Sequence, residues 1–405
     1  MNSSKLPQRG DPLPLAQALI QCPSVTPEDH GCQDILIWRL EALGFTITKL
    51  RFGRILNFYA VRPILADSTE TTTTTPNLCF AGHTDVVPAG DPKSWSADPF
   101  GAEVRDGWLI GRGACDMKGG LAAMVAAVER FLNDPPQGIT GGSLSFLITG
   151  DEEADAVDGT AKVLEWMEQH DAIPDLCLVG EPTSAAILGD GVKSGRRGSV
   201  NGVITIKGVQ GHVAYPQRAN NPMHAALPAL ATLAAVRFDE GTADFEATRL
   251  QFTEMASGDA TTTNVIPGEM RARFNIRFNT QHTPESLEAR IRQALDAMTE
   301  DPDVRYDLEM NVSGLPFLSQ EGQLLDALTQ AVTSVTGKPP VRSTGGGTSD
   351  ARFIARYCPQ TVEFGLVGQT MHKVDEATKV DDLYGLTDIY HAFLTRVFTS
   401  GDSET

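Results

Sequence analysis

Short apolar runs that end in an acid or a histidine recur along this chain, and they limit its fold more than any other feature. The sharpest case is LSFLITGDEE, residues 144–153, in which a strand-like apolar run passes straight into three consecutive acids. Carboxylates at the mouth of a hydrophobic strand repel one another and lose water, so they need a cation, a proton or an escape into solvent. The same design returns in CFAGHTDVVP, GRGACDMKGG, DLCLVGEPTS and GLVGQTMHKVDE. Taken singly, each has a plainer reading: a solvated turn for GDEE, a structural histidine for GHTD, a helix cap for the Asp before MKGG, and a turn for GEP.

Strand patterns at 55–61, 78–82, 144–149 and 176–179 alternate with helical ones such as 119–131, which predicts an α/β fold, a mostly parallel sheet flanked by helices. After Gly195 the texture changes. Strand patterns at 199–209 and 271–278 and helical ones at 221–236 and 284–298 predict a small α+β domain inserted in the first. The expected division is 1–197, 198–309 and 310–405, with helices at 321–336 and 349–357, a strand at 361–367 and a closing helix at 383–398 in the last part. The run ADSTETTTTTPN at 66–77 reads as a surface loop between two strands.

With 405 residues, 41% of them hydrophobic, the chain can bury a sizeable core in two domains. A net charge of −19 excludes a nucleic-acid groove or an anionic membrane surface as the main partner, so any anionic ligand must meet a local basic cluster. No apolar run approaches the ~20 residues of a membrane span. The start MNSSKLPQRGDPLPLAQAL lacks the charged-then-apolar order of a secretory signal, and the expectation is a cytoplasmic protein. Six scattered cysteines without a CxxC pair read as reduced core thiols and not as metal ligands.

In an open α/β sheet the C-terminal ends of parallel strands converge on one crevice. His83, Asp116, Glu153, Glu181 and His372 are therefore expected to meet. Two histidines and three carboxylates suit a pair of Zn²⁺ ions, one carboxylate bridging and each ion keeping a position for water.

In order and across nearly the whole chain, GHTDVVPAGD, GRGACDMKGG, GDEEADAVDGT, VGEPTS, GRRGSVNG, GHVAYPQRANNPMH, TNVIPG, GGGTSDARF and GQTMHKVDE resemble the co-catalytic zinc aminoacylase and carboxypeptidase family. GRRGS, GHVAYP, GGTSDARF and TMHKVDE together resemble its desuccinylase branch. The resemblance implies a zinc exopeptidase-like catalytic domain and two Zn²⁺ per chain, with Co²⁺ or Mn²⁺ as alternatives at the second site. It gives His83 and Glu181 to one metal, Glu153 and His372 to the other, and Asp116 to both. Asp85 would orient His83 through its second nitrogen, and Glu152 would be the general base. Cys115 before the bridging acid and the threonine-rich loop depart from the family pattern.

The implied substrate is the succinyl amide of a diamino acid carrying three carboxylates, and the implied setting is biosynthesis in a bacterial cytoplasm. Arg196, Ser199, Tyr215, Asn264, Arg277, Gly347 and Thr348 would bind it, the arginines by bidentate carboxylate recognition. GRRGS otherwise reads as a basic loop at a domain boundary. His212 would enter the site of a second subunit as an oxyanion donor, the inserted domain forming a homodimer; its plainer reading is a strand-edge histidine beside Tyr215. An acetylornithine or other N-acyl-amino-acid deacylase, a dinuclear-zinc carboxypeptidase, and an inactive metal-binding scaffold are the alternatives.

Overall fold

The computed structural model describes residues 10–65, 75–258, 263–296 and 304–399. Most of the threonine-rich stretch, 66–74, and the expected helix end at 297–298 lie outside them. The described residues fall into two compact units, one holding those up to Ser194, Leu318–Ser343 and those from Ser349 on, the other Gly195–Phe317 and Thr344–Thr348. The second unit thus runs wider than the 198–309 read from sequence.

The first unit is built on an eight-stranded mixed sheet in the order Thr46–Phe52, Ile55–Pro63, Ser143–Thr149, Asn77–His83, Leu176–Val179, Gln360–Glu363, Gly191–Lys193, Val341–Ser343. Its four central strands are parallel, as the apolar runs predict, and the antiparallel pairings lie outside them. Asn77–His83 lies between Ser143–Thr149 and Leu176–Val179, with His83 opposite Thr149 and Ala81 opposite Val179. The chain leaving Thr149 toward Glu152, and the chain leaving Val179 toward Glu181, therefore emerge beside His83.

The core forms where Phe80 meets Phe146, Tyr390 and Phe393 at ring-centroid separations of 5.6, 5.6 and 6.4 Å. In the closing helix, Val380–Phe398, the residues Leu383, Leu386, Tyr390, Phe393, Leu394 and Val397 recur at helical spacing and are all buried. Each such side chain contributes roughly 1.5–3 kcal/mol. The helix Lys118–Asn133 packs against it and is buried on nearly all sides, which its Gly-Gly-Leu-Ala-Ala start permits. Ala351–Ile354 and Gln360–Glu363 are shorter than expected; beyond Glu363 the chain passes so close to the Glu181 backbone that a Cβ on Gly365 would meet the Glu181 carbonyl at 2.6 Å.

The second unit has its own core under a four-stranded antiparallel sheet ordered Arg249–Ser257, Glu269–Phe278, Gly198–Lys207, Arg305–Gly314, with helices Pro222–Ala235 and Pro284–Asp296. Glu269–Phe278 alternates cleanly: Met270, Ala272, Phe274, Ile276 and Phe278 are buried, while Arg271, Arg273, Asn275 and Arg277 point to the other face. The reading of strand, helix, strand, helix omitted two strands of this sheet, Arg249–Ser257 and Arg305–Gly314. Both are edge strands whose residues are mostly half-buried or exposed, so their hydrophobic alternation is weak.

Candidate metal centre

His83 ends its strand with 1% of its surface exposed, and its two ring nitrogens face different partners. The Asp85 carboxylate was expected to orient Nδ1, yet the Asp85 backbone carbonyl is the nearer acceptor, at 2.9 Å against 3.6 Å for the carboxylate. That carboxylate instead accepts from the Glu152 and Glu153 amides, at 3.2 and 3.1 Å, and from the Thr26 hydroxyl at 2.6 Å. Asp85 thus holds the GDEE turn as well as the histidine.

On its other side, His83 Nε2 lies 3.3 Å from Asp116 Oδ1 and 3.9 Å from Glu181 Oε1. Asp116 Oδ2 lies 3.2 Å from His372 Nε2, which is 3.0 Å from Glu153 Oε1. One carboxylate therefore sits between two histidines, each with a further acid. Burial alone would raise the Asp116 pKa, but His372 and His83 hold it below the usual carboxylate range. Burial works to lower the His83 pKa and is outweighed by Asp116, Glu152, Glu181 and Asp85. Contacts with Asp116 and Glu153 push His372 up to about 10. Burial, then the charge of Glu181, raises Glu152 well above the ordinary carboxyl value.

The five expected ligands, from His83 to His372, face one another, and a metal fits the donors. His83 Nε2 and Asp116 Oδ1 are both buried, face each other and make no hydrogen bond of normal geometry among the described residues. Two sets have their donor atoms within 4.8 Å of one another: His83, Glu152 and Glu181, and His83, Asp116 and Glu153. Buried imidazole and carboxylate in this density suit divalent zinc-like cations.

The other expected residues belong to the second unit, where they form two groups. Arg196 donates from Nη1 to the carbonyls of Gly345 and Gly347, both at 3.2 Å, and Thr348 follows in the same loop. Ser199 is in register with Arg277, and Asn275 bonds both, its Nδ2 to Ser199 Oγ and its Oδ1 to Arg277 Nε. Burial and the neighbouring Arg197 and Arg196 lower the Arg277 pKa, and Arg277 Nη1 is buried without a hydrogen-bond partner among the described residues. Like charges gathered this way favour an anion. In the second group, His212 pairs with Val265, Val213 N donates to the Asn264 carbonyl, and the Tyr215 ring lies 5.8 Å from His212. His212 Nδ1 accepts from the Ala214 amide at 3.0 Å, so the neutral ring keeps its proton on Nε2, free to donate from an exposed position.

Three residues of this neighbourhood escaped the sequence reading. Thr26 holds Asp85, and Glu376 gathers the turn that carries Asp116. Asp350 is buried, accepts from Thr160 Oγ1 at 2.6 Å and is pushed up to about 6, chiefly by burial. Asp350 and Glu376 stand in the quoted stretches GGGTSDARF and GQTMHKVDE, which was the available signal.

A buried acid from the turn before helix Lys118–Asn133, shared by two histidines and faced by the acids Glu153 and Glu181 that follow the C-terminal ends of parallel strands, defines a metal-dependent hydrolase of the aminoacylase and peptidase kind. Residues 79–396 match Peptidase family M20/M25/M40, and the chain belongs to that family. It is 59% identical over 388 residues to the succinyl-diaminopimelate desuccinylase of Magnetococcus marinus, covering 96% of this chain and 98% of that one. It is 51% identical over 402 residues to the enzyme of the same name from Rhodospirillum centenum, covering 98% and 99%. Among solved structures, the aminopeptidase PepT of Bacillus cereus matches with a TM-score of 0.76 at 17% identity over 96% of this chain and 99% of that one. The YxeP protein of Bacillus subtilis, a dinuclear metal binding peptidase, matches with a TM-score of 0.72 at 16% identity over 96% and 98%. These two likenesses concern the fold. Among the described residues no helix is long and apolar enough to cross a membrane.

Proposed function

We propose that this chain hydrolyses N-succinyl-LL-2,6-diaminopimelate to succinate and LL-2,6-diaminopimelate, within lysine and cell-wall biosynthesis in a bacterial cytoplasm. The observation that carries the chemistry is Asp116 set between His83 and His372, with Glu152 alongside. The choice of acyl group and amino acid is supported by the near-full-length relatives of that name.

His83 and Glu181 would hold one Zn²⁺, Glu153 and His372 the other, and Asp116 both; Co²⁺ or Mn²⁺ are the alternatives at the second position. Bound there, the ions supply Lewis acidity toward water and toward the amide carbonyl. Glu152, grouped with His83 and Glu181, takes the proton of the attacking water and returns it to the departing amine nitrogen. Arg277 and Arg196 receive carboxylates, while Ser199, Asn264, Tyr215, Gly347 and Thr348 fix orientation by neutral contacts. His212 donates from Nε2 to the tetrahedral oxyanion in the site of the other subunit of a homodimer.

Zinc content measured together with succinate release from this substrate tests the reading. Acetylornithine serves as the competing substrate: faster turnover of it would move the chain to another deacylase branch, and full zinc without turnover of either would leave a metal-binding scaffold.

A further inference from the structure

We propose that Glu376 is a positioning residue of the metal centre, its buried carboxylate setting the Asp116 turn against the His372 loop; this rests on the metal-centre reading above. Glu376 is fully buried. One of its oxygens accepts from Arg112 Nη1 at 2.8 Å and the Gly113 amide at 3.0 Å. The other accepts from the amides of Cys115 and Asp116, both at 3.1 Å, and from the Cys115 thiol at 3.4 Å. A single carboxylate thus gathers three backbone N–H groups of the turn whose last residue lies between both histidines. Its own backbone is tied to the same region, since the Glu376 carbonyl accepts from the Gly111 amide at 2.9 Å. Glu376 also stands four residues after His372 in one short loop, so the two sides of the 3.2 Å Asp116–His372 contact share this anchor.

The chemistry explains why an ionised acid is used. A carboxylate can accept from several N–H donors and one guanidinium at once, whereas an amide in its place offers a single oxygen and turns an NH₂ group toward other donors. Arg112 neutralises the charge without competing for the backbone amides. Cys115 takes part through its buried thiol, which gives that position a role beside the bridging acid.

Two variants test the assignment. Glu376→Gln keeps the shape and loses the charge; Glu376→Asp keeps the charge and withdraws it by one methylene. Zinc affinity is measured by chelator competition on protein shown to be folded by circular dichroism, and the absorption of Co²⁺-loaded protein reports the ligand geometry. Glu376→Gln is expected to lose roughly 10–100-fold in affinity for the metal shared through Asp116, the range for residues that orient ligands. Its cobalt absorption should shift, kcat should fall more than KM rises, and Glu376→Asp should recover part of the affinity. A folded variant with wild-type zinc affinity and cobalt absorption overturns the proposal, whatever its melting temperature. Failure of both variants to fold would also overturn it, making Glu376 a folding residue. Wild-type protein that takes up no metal would remove the metal centre itself, whereas metal uptake without succinate release would touch only the choice of substrate.

Discussion

Glu152 and Glu153 are neighbours with different surroundings: Glu153 Oε1 lies 3.0 Å from His372, while Glu152 groups with His83 and Glu181. Glu152→Ala is expected to keep zinc near two per chain and to lose turnover by more than about 100-fold, the usual cost of removing a general base. Glu153→Ala should bind one metal fewer. Elemental analysis beside succinate release reads both, and a Glu152→Ala protein that loses zinc but recovers activity when metal is restored would reverse the roles. The two arginines also part company. Arg277, whose Nη1 is buried without a hydrogen-bond partner among the described residues and beside two further guanidiniums, gives up in the free protein chiefly its Nε bond to Asn275. Arg277→Ala should therefore cost roughly 2–4 kcal/mol in kcat/KM with unchanged metal content and melting temperature. Arg196→Ala should lose similar binding and also loosen the loop whose Gly345 and Gly347 carbonyls it holds, which thermal melting would detect. Wild-type kinetics in both variants would return GRRGS to a basic loop and favour a different acyl substrate.

At the level of elements, the opening of helix Lys118–Asn133 decides how near its turn can come to the proposed metal ligands. Glycine in a helix costs about 0.5–1 kcal/mol relative to alanine, so Gly119→Ala should stabilise if propensity ruled. A Cβ there would meet the Ala114 carbonyl at 2.3 Å and Leu366 at 2.8 Å, and the carbonyl is backbone that cannot swing aside. The clash wins, and Gly119→Ala is expected to lose about 1–3 kcal/mol and to weaken metal binding by moving Asp116. Denaturation in chelator and zinc titration measure the two effects; a more stable variant would show that the turn yields. The elements legible in the sequence were those with a strong period or punctuation, such as the apolar runs ending at His83 and Thr149. The edge strands Arg249–Ser257 and Arg305–Gly314 were not, because little of either is buried. Site residues at strand ends were legible because few chemistries explain an acid there. Glu376 was not, because Cys115, whose amide and thiol both donate to it, lies 261 residues away and meets it only in the folded chain. The sharing of His83 between the carbonyl and the carboxylate of Asp85 is likewise set by a turn whose geometry no spacing specifies.

For the whole molecule, the metal-competent residues belong to one unit, while His212 and the arginine cluster belong to a second unit with its own sheet and core. A chain with a net charge of −19 repels a tricarboxylate at long range, so local cations and a donor brought by another subunit would have to supply the attraction. If His212 acts across a homodimer, His212→Ala and Glu152→Ala each give inactive dimers for different reasons. Subunit exchange between them then creates one site with an intact base from one chain and an intact Nε2 donor from the other. For fully scrambled subunits about a quarter of wild-type activity should return, because half the dimers are mixed and each mixed dimer has one complete site of two. An arrangement in which His212 serves its own chain's site predicts no recovery, since every site then carries one of the two lesions. Native mass spectrometry distinguishes a failure to exchange from a failure to complement. A mixture with mass-verified mixed dimers that stays inactive would remove His212 from the partner's site while leaving the assignment of Glu152 and the histidine-flanked Asp116 untouched.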